Sequence, residues 1–183
     1  MANDSRPAPL GMLAPDFALP GVDGHTWSRT SVRGDAGLLV MFICNHCPYV
    51  RAVIDRIVLE AQALLPLGIG CVAISSNDAI AYPEDSFPRM REFARANKFS
   101  FPYLYDESQE IARAYGAVCT PDFFGFNAQL QLQYRGRLDA SGRQPAGNAS
   151  RRELFDAMQS IAATGRGPAD QIASVGCSIK WRT

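Results

Sequence analysis

The chain has 183 residues, with 18 Lys and Arg against 18 Asp and Glu, so its formal net charge is zero. Hydrophobic residues make up 47% and charged residues 20%, which excludes general disorder. Charge balance argues against a nucleic-acid-binding surface, and the longest apolar run, residues 36–44, is too short for a membrane-spanning helix. We therefore predict a single globular domain over residues 1–183, with neither nucleic acid nor membrane as a partner.

The N-terminus and the cysteines bear on the cellular compartment. Residues 1–7 contain no basic stretch leading into an apolar core, so we predict no signal peptide and a cytoplasmic location. The chain has 5 cysteines, at positions 44, 47, 71, 119 and 177. An odd number in a reducing compartment points to catalysis, metal binding or core packing rather than to structural disulfides.

The first half of the chain alternates between strand and helix signals. A hairpin is expected near residues 17–19, with its turn at Asp23-Gly24. Residues 38–43 form a continuous apolar run that is typical of a strand buried on both faces. Residues 48–65 show helical spacing of apolar side chains, and residues 69–75 form a second candidate for a buried strand.

The second half adds helices around a pair of strands. The expected segments are, in chain order, a helix over 88–97, a helix opened by the capping box Asp106-x-x-Gln109, strands over 122–127 and 131–135, and a helix opened by the capping box Ser150-x-x-Glu153. The tail from residue 167 onwards has no strong periodicity of apolar residues. Together the segments predict an α/β sheet covered by helices on both faces.

The segment with the most chemistry is Cys44-Asn45-His46-Cys47-Pro48, between a predicted buried strand and the following helix. Free backbone N–H groups and the positive end of the helix dipole stabilise a thiolate at a helix N-terminus. Pro48 suits the first helical position, where no N–H is needed. The position favours a reactive thiol over cysteines that merely pack as small hydrophobic residues.

Several motifs occur in an order that resembles a known superfamily. The motifs span residues 13–24, 42–50, 74–78, 114–124 and 176–181. They are similar to the thioredoxin-like superfamily of redoxin (alkyl hydroperoxide reductase/thiol-specific antioxidant) type, and within it to a peroxiredoxin-like branch with a Cys-Asn-His-Cys-Pro motif. The resemblance implies one redoxin domain, a thioredoxin-like three-layer α/β sandwich with an N-terminal hairpin extension and a C-terminal tail.

The same resemblance implies a thiol-dependent oxidoreductase. Aligned with the Cys-Pro-x-Cys of membrane-anchored thioredoxin-like reductases, Cys47 falls on the attacking cysteine and Val50 on the second cysteine. Peroxiredoxins carry a Pro seven residues and a Thr or Ser three residues before the peroxidatic cysteine, and those positions are Val40 and Cys44 here. Thiol–disulfide exchange and peroxide reduction both remain open, with Cys47 as the nucleophile in either case.

The second thiol of the reaction is left open between two cysteines. Either Cys44 forms an offset disulfide with Cys47, or Cys119 resolves the intermediate. In the thioredoxin fold, the proline before the hairpin strand is cis and its loop packs against the active cysteine. The resemblance gives that role to Pro121, and Thr120 would offer backbone groups to a substrate.

The remaining assignments concern substrate and cofactor. His46 and Pro48 are expected to contact the substrate with Thr120 and Pro121, and His46 is expected to help lower the pKa of Cys47. No cofactor is expected; the partners are a disulfide or peroxide substrate and an external thiol reductant.

Two other functions are weighed against this one. Cys44, His46 and Cys47 are soft ligands, so copper binding is the first alternative, and a redox-inert binding protein on the same scaffold is the second. Cys71 is expected to be inert in the core. Cys177, in the tail with Trp181, is expected to be structural or solvent-facing; the alternative is that the tail folds back and Cys177 acts as a remote resolving thiol.

Overall fold

The computed structural model describes residues 2–5, 9–145, 147 and 151–182. Its strands are β1 (Ala2–Asp4), β2 (Ala18–Pro20), β3 (Thr26–Ser28), β4 (Gly37–Phe42), β5 (Ile69–Ser75), β6 (Tyr103–Tyr105), β7 (Cys119–Thr120), β8 (Asp122–Asn127), β9 (Leu132–Gly136) and β10 (Val175–Ser178). Its helices are α1 (Arg29–Val32), α2 (Pro48–Leu64), α3 (Phe87–Ala96), α4 (Glu110–Tyr115) and α5 (Glu153–Thr164).

The central sheet has the strand order β6-β5-β4-β8-β9. Strands β4, β5 and β6 are parallel, whereas β8 runs antiparallel to both β4 and β9. Every residue of β4 is buried, as the apolar run predicts. Its side chains alternate between two cores: Leu39 and Met41 pack with α2, α3 and α5, and Leu38 and Val40 pack with α4. The result is the three-layer α/β sandwich that the resemblance implies.

Both additions to the sandwich are present. Strands β2 and β3 form the expected antiparallel hairpin around the turn at Asp23-Gly24. The C-terminal tail contains β10, which the sequence did not predict. It pairs with β1 on one side and with β7 on the other, where Cys177 lies opposite Thr120. This second, smaller sheet brings the tail to the end of β4 at which the cysteine motif lies.

One predicted capping box forms only in part. Helix α4 begins at Glu110, and the side chain of its N-cap residue, Gln109, makes no capping hydrogen bond. The Asp106 carboxylate accepts the N–H groups of Ile111 and Ala112 in the first turn of the helix. The Gln109 side chain is directed elsewhere, because its amide donates to the carbonyl oxygens of Ser76 and Lys180. The Asp106 half of the predicted box therefore forms, whereas tertiary contacts hold the Gln109 side chain away from it.

The other boundaries differ from the predictions by only a few residues. Helix α2 ends at Leu64 and continues as a 3-10 turn over Leu65–Leu67, where Pro66 cannot donate to the α-helical ladder. The capping residue predicted for α5, Ser150, lies outside the described residues. No helix within the described ranges is both long and apolar enough to cross a membrane.

Candidate active site

The cysteine motif occupies the connection between β4 and α2, as predicted. Cys47 is the N-cap residue of α2, and Pro48 is the first residue of the helix. The Cys44 and Cys47 side chains are buried, with 1% and 0% of their surface exposed. Cys44, Cys47, Cys71 and Cys177 are free cysteines. The motif therefore places two buried sulfur atoms beside the N-terminus of a 17-residue helix.

The loop before β8 packs directly against these cysteines. The Cys47 Sγ lies 3.2 Å from the carbonyl oxygen of Thr120, and the Cys44 Sγ lies 3.4 Å from the Thr120 hydroxyl. The Thr120–Pro121 peptide bond is cis, as the resemblance implies. The structure thus brings together Cys44, Cys47, Pro48, Thr120 and Pro121 from the sequence-predicted set.

The pKa values of Cys44 and Cys47 are shifted in opposite directions. A hydrogen bond from the Cys44 thiol lowers the pKa of Cys47 to about 5, with further help from Cys177, the N–H of Val50 and Thr120, against the opposing effect of burial. The bond to Cys47, burial and the negative charge of Asp85 raise the pKa of Cys44 well above its ordinary value. At neutral pH the sulfur pair therefore holds one proton, on Cys44, and Cys47 is the thiolate.

This acidity gives the first testable expectation. The Cys47 thiolate should form as the pH rises through about 5, so thiolate-dependent chemistry should be lost below that pH. Cys44→Ala removes the donor and should raise the pKa of Cys47 by about one to two units, the equivalent of one hydrogen bond to a charged group. The measurement is the difference in ultraviolet thiolate absorbance between each protein and its matched Cys47→Ser variant. Unchanged titration in Cys44→Ala would show that the bond is not the cause.

A buried carboxylate that sequence reasoning missed organises the loop between the two cysteines. Asp85 is fully buried, and its Oδ1 accepts the N–H groups of Asn45 at 2.8 Å and His46 at 3.2 Å. Its Oδ2 accepts from Asn77 Nδ2 at 2.7 Å and lies 2.6 Å from His46 Nδ1. Four donors thus converge on one side chain. No motif in the sequence marks Asp85, which comes from a 3-10 turn 39 residues after His46.

This network changes the role expected of His46. The imidazole bonds Asp85 and stacks in parallel on the ring of Tyr82, with centroids 5.8 Å apart. The main influences that lower the pKa of Cys47 are instead Cys44, Cys177, the N-terminus of α2 and Thr120. His46 therefore holds the loop, and its partly exposed ring faces the rim of the site.

Among the described residues, one group of three side chains has the composition and spacing that a metal ion could use, and it lies in this region. The ligand atoms of Cys44, His46 and Asp85 lie within 4.8 Å of one another. The Asp85 oxygens are already occupied by hydrogen bonds, including the one from His46. An ion would have to displace those bonds, so this arrangement fits a hydrogen-bonded support for the loop better than a copper site.

The other three cysteines have different surroundings. Cys71 lies on β5, where burial raises the pKa of its thiol to about 12, in keeping with an inert core residue. Cys119 is buried, with its Sγ 3.8 Å from the carbonyl oxygen of Pro121. Cys177 is partly exposed and is directed to Cys47, whose pKa it lowers by hydrogen bonding. The tail therefore folds back against the site, which is the geometry that the alternative role of Cys177 requires.

A small cavity of about 160 Å³ lies next to the cysteine site. Pro121 and Tyr49, which follows Pro48 on α2, form the wall nearest to Cys47, and Phe123 and Leu138 extend the apolar lining. Val175 of β10 closes it on the tail side. The cavity therefore lies beside Pro121 and the first turn of α2.

Comparison with known proteins agrees with this geometry. The model of the AhpC/TSA family matches residues 10–137. The chain belongs to the AhpC/TSA family. Among curated proteins no significant match is found. Family membership supports a thiol oxidoreductase in general, and the peroxiredoxin-like resemblance of the motifs is consistent with it.

Solved structures resemble this AhpC/TSA protein over most of its length. An uncharacterized conserved protein from Geobacillus kaustophilus is 44% identical with a TM-score of 0.93, covering 100% of this chain and 97% of that one. A hypothetical protein from Sinorhizobium meliloti 1021 is 36% identical with a TM-score of 0.90, covering 98% of each chain. The thioredoxin domain of a thiol-disulfide oxidoreductase from Bacteroides vulgatus is 13% identical with a TM-score of 0.65, covering 85% and 99%. That last likeness shows the thioredoxin-like fold.

Proposed function

We propose that this AhpC/TSA protein is a thiol–disulfide oxidoreductase in which the Cys47 thiolate is the nucleophile. The observation that carries the proposal is the place of the Cys47 sulfur at the N-terminus of α2, with its pKa lowered to about 5. A thiolate at neutral pH is the form that attacks sulfur. The contact of 3.2 Å between this sulfur and the Thr120 carbonyl oxygen supports a substrate-facing role for the loop with Pro121.

The proposed reaction begins with attack of the Cys47 thiolate on one sulfur of a substrate disulfide. The substrate S–S bond breaks, a mixed disulfide forms on Cys47, and the second substrate sulfur leaves as a thiolate. Cys44 holds its proton and stabilises the reactive thiolate before attack. Pro48 and Pro121 shape the surface around the sulfur, and the adjoining cavity would take an apolar group next to the substrate disulfide.

Disulfide exchange is favoured over peroxide reduction by what surrounds Cys47. The position seven residues before it is Val40, which is buried in the core on the α4 side of the sheet. The position three residues before it is Cys44, whose sulfur donates to Cys47 rather than to a substrate. The peroxiredoxin pattern is therefore replaced at both positions, and peroxide reduction is kept as an outcome of the test.

Access to Cys47 requires movement, because none of its surface is exposed. The neighbours that cover it include the tail strand β10, which pairs with only two residues of β7 and three of β1. Ladders this short open more readily than the central sheet. A substrate disulfide would reach Cys47 when this strand moves aside.

A peptide-resolved thiol map tests the proposed function. The reduced protein is treated with less than one equivalent of cystamine, or separately of hydrogen peroxide, and quenched in acid before digestion and mass spectrometry. We expect the sulfur of Cys47 to be oxidised by cystamine faster than that of Cys71, which is buried and protonated. A sulfenate at Cys47 that forms faster than the cystamine product would favour peroxide reduction. Absence of any modification at Cys47 would contradict the proposal.

A further inference from the structure

Cys177 packs against the buried cluster that contains Cys47 and Val50 at the N-terminus of α2. Cys177 stands on β10 opposite Thr120, the residue whose carbonyl oxygen contacts the Cys47 sulfur. Its proximity contributes to the lowered pKa of Cys47. The helix terminus thus holds two sulfur atoms, one from its own N-cap and one from the C-terminal tail.

The backbone of β10 is built for this close approach. Gly176 precedes Cys177 and is buried against the Thr120–Pro121 peptide. A Cβ at this position would collide with the Thr120 carbonyl oxygen. Only glycine lets β10 lie this close to β7, and the next side chain along the strand is then delivered to Cys47.

Exposure separates Cys177 from the other cysteines near the site. Cys44, Cys47 and Cys119 are at most 1% exposed, whereas Cys177 is partly exposed. A disulfide between Cys47 and Cys177 would therefore present one sulfur to solvent and keep the other buried at the helix terminus. A disulfide between Cys44 and Cys47 would leave both sulfurs buried, so that a reductant would reach either one only when β10 moves aside.

We propose that Cys177 is the resolving thiol of the reaction and that the oxidised protein contains a disulfide between Cys47 and Cys177. This inference rests on the proposed function and deepens it. The tail strand then has two roles, because it covers the nucleophile in the reduced protein and supplies the second sulfur of the redox pair.

The charges around Cys177 fit this order of events. Burial and then the hydrogen bond and charge of Cys47 raise the pKa of Cys177 to about 11 while Cys47 is a free thiolate. A mixed disulfide on Cys47 carries no charge, so that part of the effect disappears, and Lys180 and the N–H of Tyr49 still favour the Cys177 thiolate. Cys44 would remain next to Asp85, whose charge opposes its ionisation.

Three thiol–disulfide exchange steps complete the proposed cycle. The Cys177 thiolate attacks the Cys47 sulfur of the mixed disulfide, the Cys47–Cys177 bond forms, and the substrate sulfur leaves as a thiolate that takes up the proton lost by Cys177. The substrate disulfide has then gained two electrons from the protein; one proton comes from Cys177 and the other, for the first thiolate released, comes from solvent. An external dithiol next attacks the exposed Cys177 sulfur and Cys47 leaves as a thiolate. The second thiol of the reductant attacks the new mixed disulfide, and Cys177 leaves and is protonated. A leaving group of low pKa, here Cys47, favours that direction of attack.

Disulfide mapping of the full-length protein tests the inference. The reduced protein is treated with one equivalent of cystamine, its remaining thiols are alkylated in acid, and linked peptides are identified by mass spectrometry. We expect a Cys47–Cys177 link in the unmodified protein and in Cys71→Ser. In Cys177→Ser we expect cystamine to stay on Cys47 as a persistent mixed disulfide. A Cys44–Cys47 or Cys47–Cys119 link in the unmodified protein would overturn the inference and leave the proposed function standing.

Kinetics give a second readout that does not depend on mapping. With a dithiol reductant at micromolar concentration, turnover of cystamine should fall roughly a hundredfold in Cys177→Ser, because an intramolecular thiol acts at millimolar or higher effective concentration. The first modification of Cys47 should still occur. Gly176→Ala should slow formation of the internal link while Cys177 is retained. Full turnover in Cys177→Ser would overturn the inference, whereas failure of Cys47 to react at all would overturn the proposed function as well.

Discussion

Replacing Cys47 with serine is expected to lower the rate of disulfide turnover by about a thousandfold or more, because a serine hydroxyl is not ionised at neutral pH and is a far weaker nucleophile toward sulfur. The substitution removes one sulfur atom at the N-cap of α2 and keeps the backbone contacts of the motif. The measurement is the steady-state rate of cystamine reduction with a dithiol as the electron donor.

Two comparisons make this result interpretable. Cys71→Ser is the matched control. Cys71 lies on β5, away from the motif, so the rate of disulfide turnover should be unaffected in this variant. Circular dichroism and the midpoint of urea unfolding report whether the Cys47→Ser protein is folded. A folded Cys47→Ser variant that keeps full turnover would remove Cys47 from the reaction and with it the proposed function.

The largest effect on stability is expected at a buried ion pair just beyond Pro121. Arg135 of β9 donates from its Nη2 to Asp122 Oδ2 at 2.9 Å, and its guanidinium lies over the Phe124 ring. Arg135→Leu should lower the free energy of unfolding by about 3–5 kcal/mol, because it leaves a buried carboxylate without its cation. Urea denaturation followed by circular dichroism measures the change.

The pH dependence of this loss identifies its cause. Burial raises the pKa of Asp122 to about 6 even with Arg135 present. An acid whose pKa is higher in the folded than in the unfolded chain favours folding at low pH, and that contribution is lost as the pH rises through the folded pKa. Without Arg135 the pKa of Asp122 should rise further, so the deficit relative to the unmodified protein should be larger at pH 7.5 than near pH 4.

The double variant Asp122→Leu/Arg135→Leu distinguishes charge from packing. If the loss comes from an uncompensated charge, removal of both partners should restore much of the stability. The matched control is Arg89→Ala, whose ion pair with Glu92 is exposed and should leave the unfolding midpoint unchanged within error. A deficit of equal size in the double variant at every pH would mean that lost contacts around Phe124, and not the charge, dominate.

The sequence alone determined the framework and the position of the proposed nucleophile. A continuous apolar run is stable only when both faces are covered, and for this reason residues 38–43 could be predicted as a central strand. Pro48 and the helical spacing after it defined the start of α2, and this placed Cys47 at a helix N-terminus. These features follow from interactions between residues that are close along the chain.

Tertiary structure decided what surrounds that nucleophile. Asp85 comes from a 3-10 turn far from the motif, and its four donors meet only because the chain folds back on itself. Strand β10 has a sequence, Val-Gly-Cys-Ser, without the alternation that predicts a strand. Its conformation is set by pairing with β1 and β7, and Gly176 permits the close contact. Cys177 therefore reaches Cys47 through contacts between distant parts of the chain, which local patterns do not encode.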